Sequence, residues 1–101
     1  MASTLLTAAT GAGQSNSIAL VDNKTATLIM YTASWTAAEY GDVQISHDGG
    51  TTWQDLYIEG SQVRLHSLNR AVTIYGNGLY RVDKEATTAA AGIFASTKDN
   101  P

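Results

Sequence analysis

Apolar residues in this chain recur at every second position, in short runs broken by Gly, Asn and Asp, and helix signals are nearly absent. Period-two alternation rich in Val, Ile, Thr and Tyr is the signature of β-strands that bury one face. The runs are "SIALV" (17–21), "TATLIMYTA" (25–33), residues 42–47, "TWQDLYI" (52–58), residues 62–66, "AVTIY" (71–75), "LYRV" (79–82) and "AAAGIFAST" (89–97). Turn residues at 22–24, 59–61 and 76–78 separate several of them, and residues 34–42 read as a connection. Such spacing predicts an all-β fold, an antiparallel β-sandwich or small barrel of about 7–8 short strands. Residues 25–33 are apolar on both faces, which predicts a central strand covered on both sides or turned to a partner. "GNG" at 76–78 predicts a tight hairpin between its flanking strands.

Three regions follow from composition along the chain. Residues 1–16 are rich in Ala, Ser, Thr and Gly around Leu5 and Leu6, and read as an extended N-terminal arm that orders on a neighbour, with a disordered terminus as the alternative. Residues 17–97 form the sandwich domain, and 98–101 a frayed tail. The opening segment lacks the basic n-region and long apolar core of a secretory signal. No segment reaches the ~18 apolar residues of a membrane span. The expectation is a protein made and folded in a cytoplasm, with no membrane partner.

One turn carries a specific motif. "SHDGGTTW" (46–53) places Ser46, Asp48, Gly50, Thr52 and Trp53 at the spacing Ser-x-Asp-x-Gly-x-Thr-Trp, which is similar to the Asp-box of sialidases. Each residue type has a structural task. Asp48 is placed to accept backbone N–H groups further along the turn, and the hydroxyls of Ser46 and Thr52 close it from either strand. Glycine tolerates the bend, and Trp53 covers the hairpin with a large apolar face. Sialidase Asp-boxes lie at blade edges, away from the catalytic centre, so the resemblance implies no activity. A propeller also needs several blades of about 40–50 residues. This chain has 101 residues and no second copy of the motif.

No reaction chemistry can be assembled from the remaining residues. Arg64, Arg70 and Arg81 are as many as a sialidase arginine triad requires, but they read as surface or interface residues. His47 and His66 are too few for a metal site, and Asp42, Asp48 and Asp55 lack a calcium-loop spacing. "GAGQS" (11–15) lacks the lysine of a phosphate loop, and no nucleophile elbow occurs. The expectation is no catalytic residue, no metal and no cofactor. With six Lys plus Arg, a net charge of −3 and no basic run, nucleic acid is a disfavoured partner. Charged residues make up 15% of the chain, against the usual ~25%, which favours a surface used in assembly. There is no cysteine, so stability must come from packing or from neighbouring subunits. Trp35 and Tyr40 fall in a loop and are candidates for an interface, or for a platform that stacks on a glycan.

Residues 43–56, "VQISHDGGTTWQDL", followed by "GLYRV" at 78–82, resemble small virion proteins of tailed bacteriophages. In those chains a strand ends in Ser-x-Asp-Gly-Gly-x-Thr-Trp, and a later hairpin carries Gly-x-Tyr-Arg-Val. The resemblance covers the central part of the chain. It implies a β-sandwich structural protein that decorates or cements the capsid, with head-fibre, neck or tail components as alternatives. The implied partners are the major capsid protein and the protein's own copies, as a homotrimer. Its implied place is the capsid surface of the virion, after assembly in the bacterial cytoplasm. Leu5, Leu6, Trp35 and Tyr40 are the candidate contact residues. A carbohydrate-binding sandwich is the reading from a different class.

Overall fold

The computed structural model describes residues 2–21, 24–35 and 39–99. Asp22, Asn23, residues 36–38 of the 34–42 connection, and Asn100 and Pro101 of the tail lie outside the described residues. The fold is an all-β sandwich. Sheet one runs in the order β1 (Ala2–Ala9), β12 (Ala91–Asp99), β4 (Lys24–Thr32), β10 (Ala71–Tyr75). Sheet two is centred on the pair β11 (Gly78–Lys84) and β5 (Tyr40–Ser46). Its β11 side is edged by β2 (Gly13–Gln14) and β3 (Ile18–Leu20), and its β5 side by β6 (Gln54–Asp55) and β9 (Arg64–His66). The pair β7 (Tyr57–Ile58) and β8 (Ser61–Gln62) forms a separate small hairpin. All pairing in the two main sheets is antiparallel.

Alternation explains which side chains meet between the sheets. Ala26, Leu28 and Met30 of β4 face inward with Ile93 of β12 and Ile74 of β10, all essentially inaccessible to water. Val43 of β5 and Tyr80 and Val82 of β11 answer them from sheet two. Successive side chains on a strand point to opposite faces, so one apolar phase on each sheet suffices to build the core.

The twelve strand segments among the described residues exceed the expected 7–8 because the margins of sheet two are broken into two- and three-residue pieces. The run 52–58 is one example. Gln54 and Asp55 pair with β5, and Leu56 donates its N–H to Val43 O (2.9 Å). The chain then turns away into β7, whose hairpin closes through Glu59 (φ 53°) and Gly60 (φ 83°). Two consecutive positive φ values are what a two-residue hairpin turn matched to strand twist requires.

Three expectations are corrected. Residues 2–9 are not a free arm: they pair with β12 as the outer strand of sheet one. A register shift between Thr4 and Leu6 leaves Leu5 as an extra residue, and Leu5 enters the core at 6% exposure. A bulge of this kind is invisible to a period-two reading. The segment is also held from behind, since Asn16 N–H donates to Leu5 O and Ser15 N–H to Val82 O, both at 2.8 Å. At the other end, Lys98 and Asp99 of the supposed tail continue β12 along β4. Finally, residues 76–78 do not close a hairpin. β10 pairs with β4 in sheet one and β11 with β5 in sheet two, so this turn carries the chain from one sheet to the other. Tyr80 pins the corner by donating its hydroxyl to Gly76 O (2.8 Å) and Tyr75 O (3.2 Å). Burial holds the Tyr80 hydroxyl protonated to a higher pH than usual.

Candidate functional site

The 46–53 turn joins β5 to β6, which pair through Gln44 with Asp55 and Ile45 with Gln54. Ser46 is the hub. Its side chain is buried, its hydroxyl donates to Asp48 Oδ1 (2.8 Å), and it accepts Gly50 N–H (2.9 Å). Asp48 Oδ1 also accepts Thr52 N–H (2.9 Å), and Oδ2 accepts the Thr52 hydroxyl (2.5 Å). Gly49 (φ 76°) and Gly50 (φ 94°) take the left-handed bend. Trp53 donates its indole N–H to Gly50 O (3.2 Å), folding the ring back over the turn.

These donors hold the Asp48 carboxyl down at about 2: first the Thr52 hydroxyl, then the Thr52 amide, then the Ser46 hydroxyl. The sign follows. A carboxylate with a folded pKa below its unfolded value of 3.8 stabilises the fold above that pH. The contribution is lost as pH falls towards about 2. Asp48→Ala is therefore expected to lower Tm at pH 7 by roughly 5 °C. Thermal scans should show the gap to the wild type closing between about pH 4 and pH 2. A gap that stays constant through acid would remove the carboxylate from the account.

Next to the turn, Arg81 lays its guanidinium over the Trp53 ring at 4.3 Å and donates Nε–H to Gln44 Oε1 (2.8 Å). Arg64 is held differently: its Nε–H and NH2 groups donate to the two carboxylate oxygens of Asp42 (2.6 and 3.3 Å), and it stacks on Tyr40 at 3.9 Å. The Asp42 carboxylate raises the Arg64 pKa further above its usual value. Arg70 sits over Trp35 at 5.7 Å and donates to Ser67 O (3.1 Å). The three arginines thus bind three different aromatic rings and do not converge. Asp42, Asp48 and Asp55 likewise have different partners, since Asp42 pairs with Arg64, Asp48 with Thr52 and Ser46, and Asp55 accepts from Gln44 (3.3 Å). Among the described residues no group of three or more His, Asp or Glu is placed to share a metal ion.

The expected contact residues are drawn inward. Leu5 is in the core, and Leu6 is half-buried against it. Trp35 also packs against the core and is only half-exposed beneath Arg70, and Tyr40 is half-buried beneath Arg64.

Sequence reasoning missed a buried polar cluster where β11 ends. Lys84 is 1% exposed, and its ammonium donates to Gly11 O (2.6 Å) and Glu85 O (3.2 Å). Burial lowers its pKa, against the opposing pull of Glu39. Glu39 is itself buried and accepts Thr88 N–H (2.6 Å). Its signal was present: Tyr80, Val82 and Lys84 share one strand phase, which points Lys84 inward. The shallow clefts include one of about 260 Å³ beside Ser3, Thr4, Tyr31 and Phe94, on the outer face of sheet one. Tyr31 lies flat across Gly92, where a β-carbon would come within 2.6 Å of its hydroxyl, and Phe94 tilts against it at 5.6 Å. Among the described residues no helix is long and apolar enough to cross a membrane. Comparison with protein-family models, curated proteins and solved structures finds no match for this chain.

Proposed function

We propose that this chain is a non-enzymatic structural protein of a tailed-bacteriophage virion, a decoration or cement protein on the outer surface of the head. Its partners are the major capsid protein and its own copies, clustered as trimers at capsid symmetry axes. The observation that carries the reading is the meeting of the two segments that resemble phage proteins. Residues 43–46 of β5 pair in register with residues 79–82 of β11, Val43 with Val82 and Ile45 with Tyr80. Arg81 of the second segment then stacks on Trp53 of the first. The two motifs are one unit at the centre of sheet two, which is what a shared architecture requires. The unit spends its polar groups on its own turn, leaving the outer faces of the sandwich for contact.

Head-fibre, neck and tail positions use the same architecture and differ only in which particle surface is contacted. A glycan-binding module is favoured by one specific observation, the flat Tyr31 ring beside Phe94 with Ser3 and Thr4 at the rim. Exposed aromatic faces of this kind stack on sugar rings, whereas Trp35 and Tyr40 are already stacked by arginines. Adding the purified protein to heads that lack it separates these readings. Saturable binding at a fixed number of copies per head is expected. Binding only to sugars, lost in Tyr31→Ala, would replace decoration by glycan recognition.

A further inference from the structure

We infer that β10 is a self-complementary sheet edge through which two copies of this chain pair antiparallel, about a two-fold axis at Thr73. Among the described residues, β10 is the longest edge strand free of register shifts. The other edge of sheet one, β1, has register shifts, and both margins of sheet two are split into pieces of two or three residues. β10 is five residues long, with neither proline nor charge. Uninterrupted, uncharged edges are templates for pairing with another strand, and proteins commonly blunt them when pairing is to be avoided.

The hydrogen-bond phase of the edge follows from one bond. Met30 N–H donates to Arg70 O (3.0 Å), and β10 pairs with β4 so that Val72 faces Leu28 and Ile74 faces Ala26. Bonded pairs alternate along an antiparallel ladder. Val72 and Ile74 therefore turn their amides to β4, and Ala71, Thr73 and Tyr75 turn theirs outward. Placing Thr73 opposite Thr73 of a second copy sets Ala71 opposite Tyr75, and every outward N–H and C=O finds a partner in the bonded phase.

Side chains fit the same register. The exposed Tyr75 ring meets the small Ala71, and Val72 meets Ile74, a β-branched pair on the core side. No charged residues oppose one another within the strand. The second copy is also favoured by the surface it continues. Around Thr73 the outer face of sheet one carries Thr27, Ile29, Ser96 and Phe94, and its one charge among the described side chains is Lys98. By contrast, sheet two turns Asp42, Asp55, Arg64, Arg81 and Asp83 outward. Pairing at β10 makes an eight-stranded sheet with one continuous, nearly uncharged face, joining the four strands of each copy. This inference is independent of the virion reading, and a two-fold contact is compatible with three-fold clustering elsewhere.

Analytical ultracentrifugation of the full chain, from about 10 μM to about 1 mM as suits a small interface, tests it. The wild type should pass from monomer to dimer within that range. Thr73→Lys puts two like charges on the axis, and Thr73→Pro removes an outward N–H while sparing the backbone bonds to β4; both lose the bond between the Thr73 and Thr27 hydroxyls (3.0 Å). Each should weaken dimerisation at least about tenfold. Ser96→Lys adds the same charge to the same face away from the edge and should leave the dimer unchanged. A wild type that stays monomeric, or dimers unaffected by both Thr73 variants, would overturn the inference. Equal loss in Ser96→Lys and Thr73→Lys would also overturn it, by locating the contact on the face.

Discussion

Gly41→Val is expected to destabilise the sandwich by about 3 kcal/mol, the upper end of the range for overpacked cores. Gly41 lies on the inner side of β5, in register with Lys84 of β11 and Leu65 of β9. A β-carbon there would sit 2.7 Å from Val82 Cγ1 and 3.2 Å from Met30 Sδ. Both neighbours belong to the closed core, where they have no solvent to retreat into. Gly41 is not among the glycines with positive φ, so the demand for glycine here is one of space. A compensating pair makes the argument specific. Val82→Ala alone removes both γ-methyl groups and should cost about 2 kcal/mol. Gly41→Ala with Val82→Ala places a new methyl group where the old one stood. Urea denaturation should find the double variant more stable than the sum of the single changes by about 1 kcal/mol or more, because contacting residues do not act additively. Strict additivity would mean that residues 41 and 82 do not touch across the β5–β11 pair.

Lys84→Ala is expected to cost a further large share of stability, about 3 kcal/mol. A buried ammonium is tolerated because it is solvated by protein: Gly11 O and Glu85 O accept from it, and Glu39 supplies opposing charge. Removing it leaves these acceptors facing a cavity, and an unpaired buried group costs more than its hydrogen bond was worth. Lys84→Met separates the two parts of this loss, since it keeps most of the apolar stem and discards the charge. It should fall between the wild type and the alanine variant. The bond to Gly11 also ties the segment between β1 and β2 to the end of β11. Amide exchange at residues 10–15 should accelerate in both variants, whereas that of β12 should change only with global stability.

Strand content and the braced turn were legible because each depends on local chemistry. Alternation over residues 42–46 needs only a buried face, and Ser46, Asp48, Gly50 and Thr52 satisfy one another within a few residues of chain. Sheet membership was not legible. Glycines at 76 and 78 suit a hairpin and a crossover between sheets equally, and what selects the crossover is the packing of Ile74 and Tyr80 into one core from opposite sides. Residues 2–9 looked like an arm because their small and hydroxylic side chains give little alternation. Pairing with β12 and a bulge that buries Leu5 are long-range facts. Trp35 and Tyr40 looked available because sequence does not reveal that Arg70 and Arg64 cover them. Lys84 was legible in principle, since its phase along β11 puts it inside. The habit of reading lysine as solvent-facing concealed it.

The central claim of the proposed function is that the sandwich works as a fixed part of a phage head. Cryo-electron microscopy of purified heads of a tailed phage that encodes the chain, compared with heads from a gene deletion, tests it most directly. The account predicts density for this sandwich on the outer surface at symmetry-related positions, absent in the deletion and restored by adding the purified protein. Identical heads with and without the gene, and no copy of the chain in the particle, would contradict it.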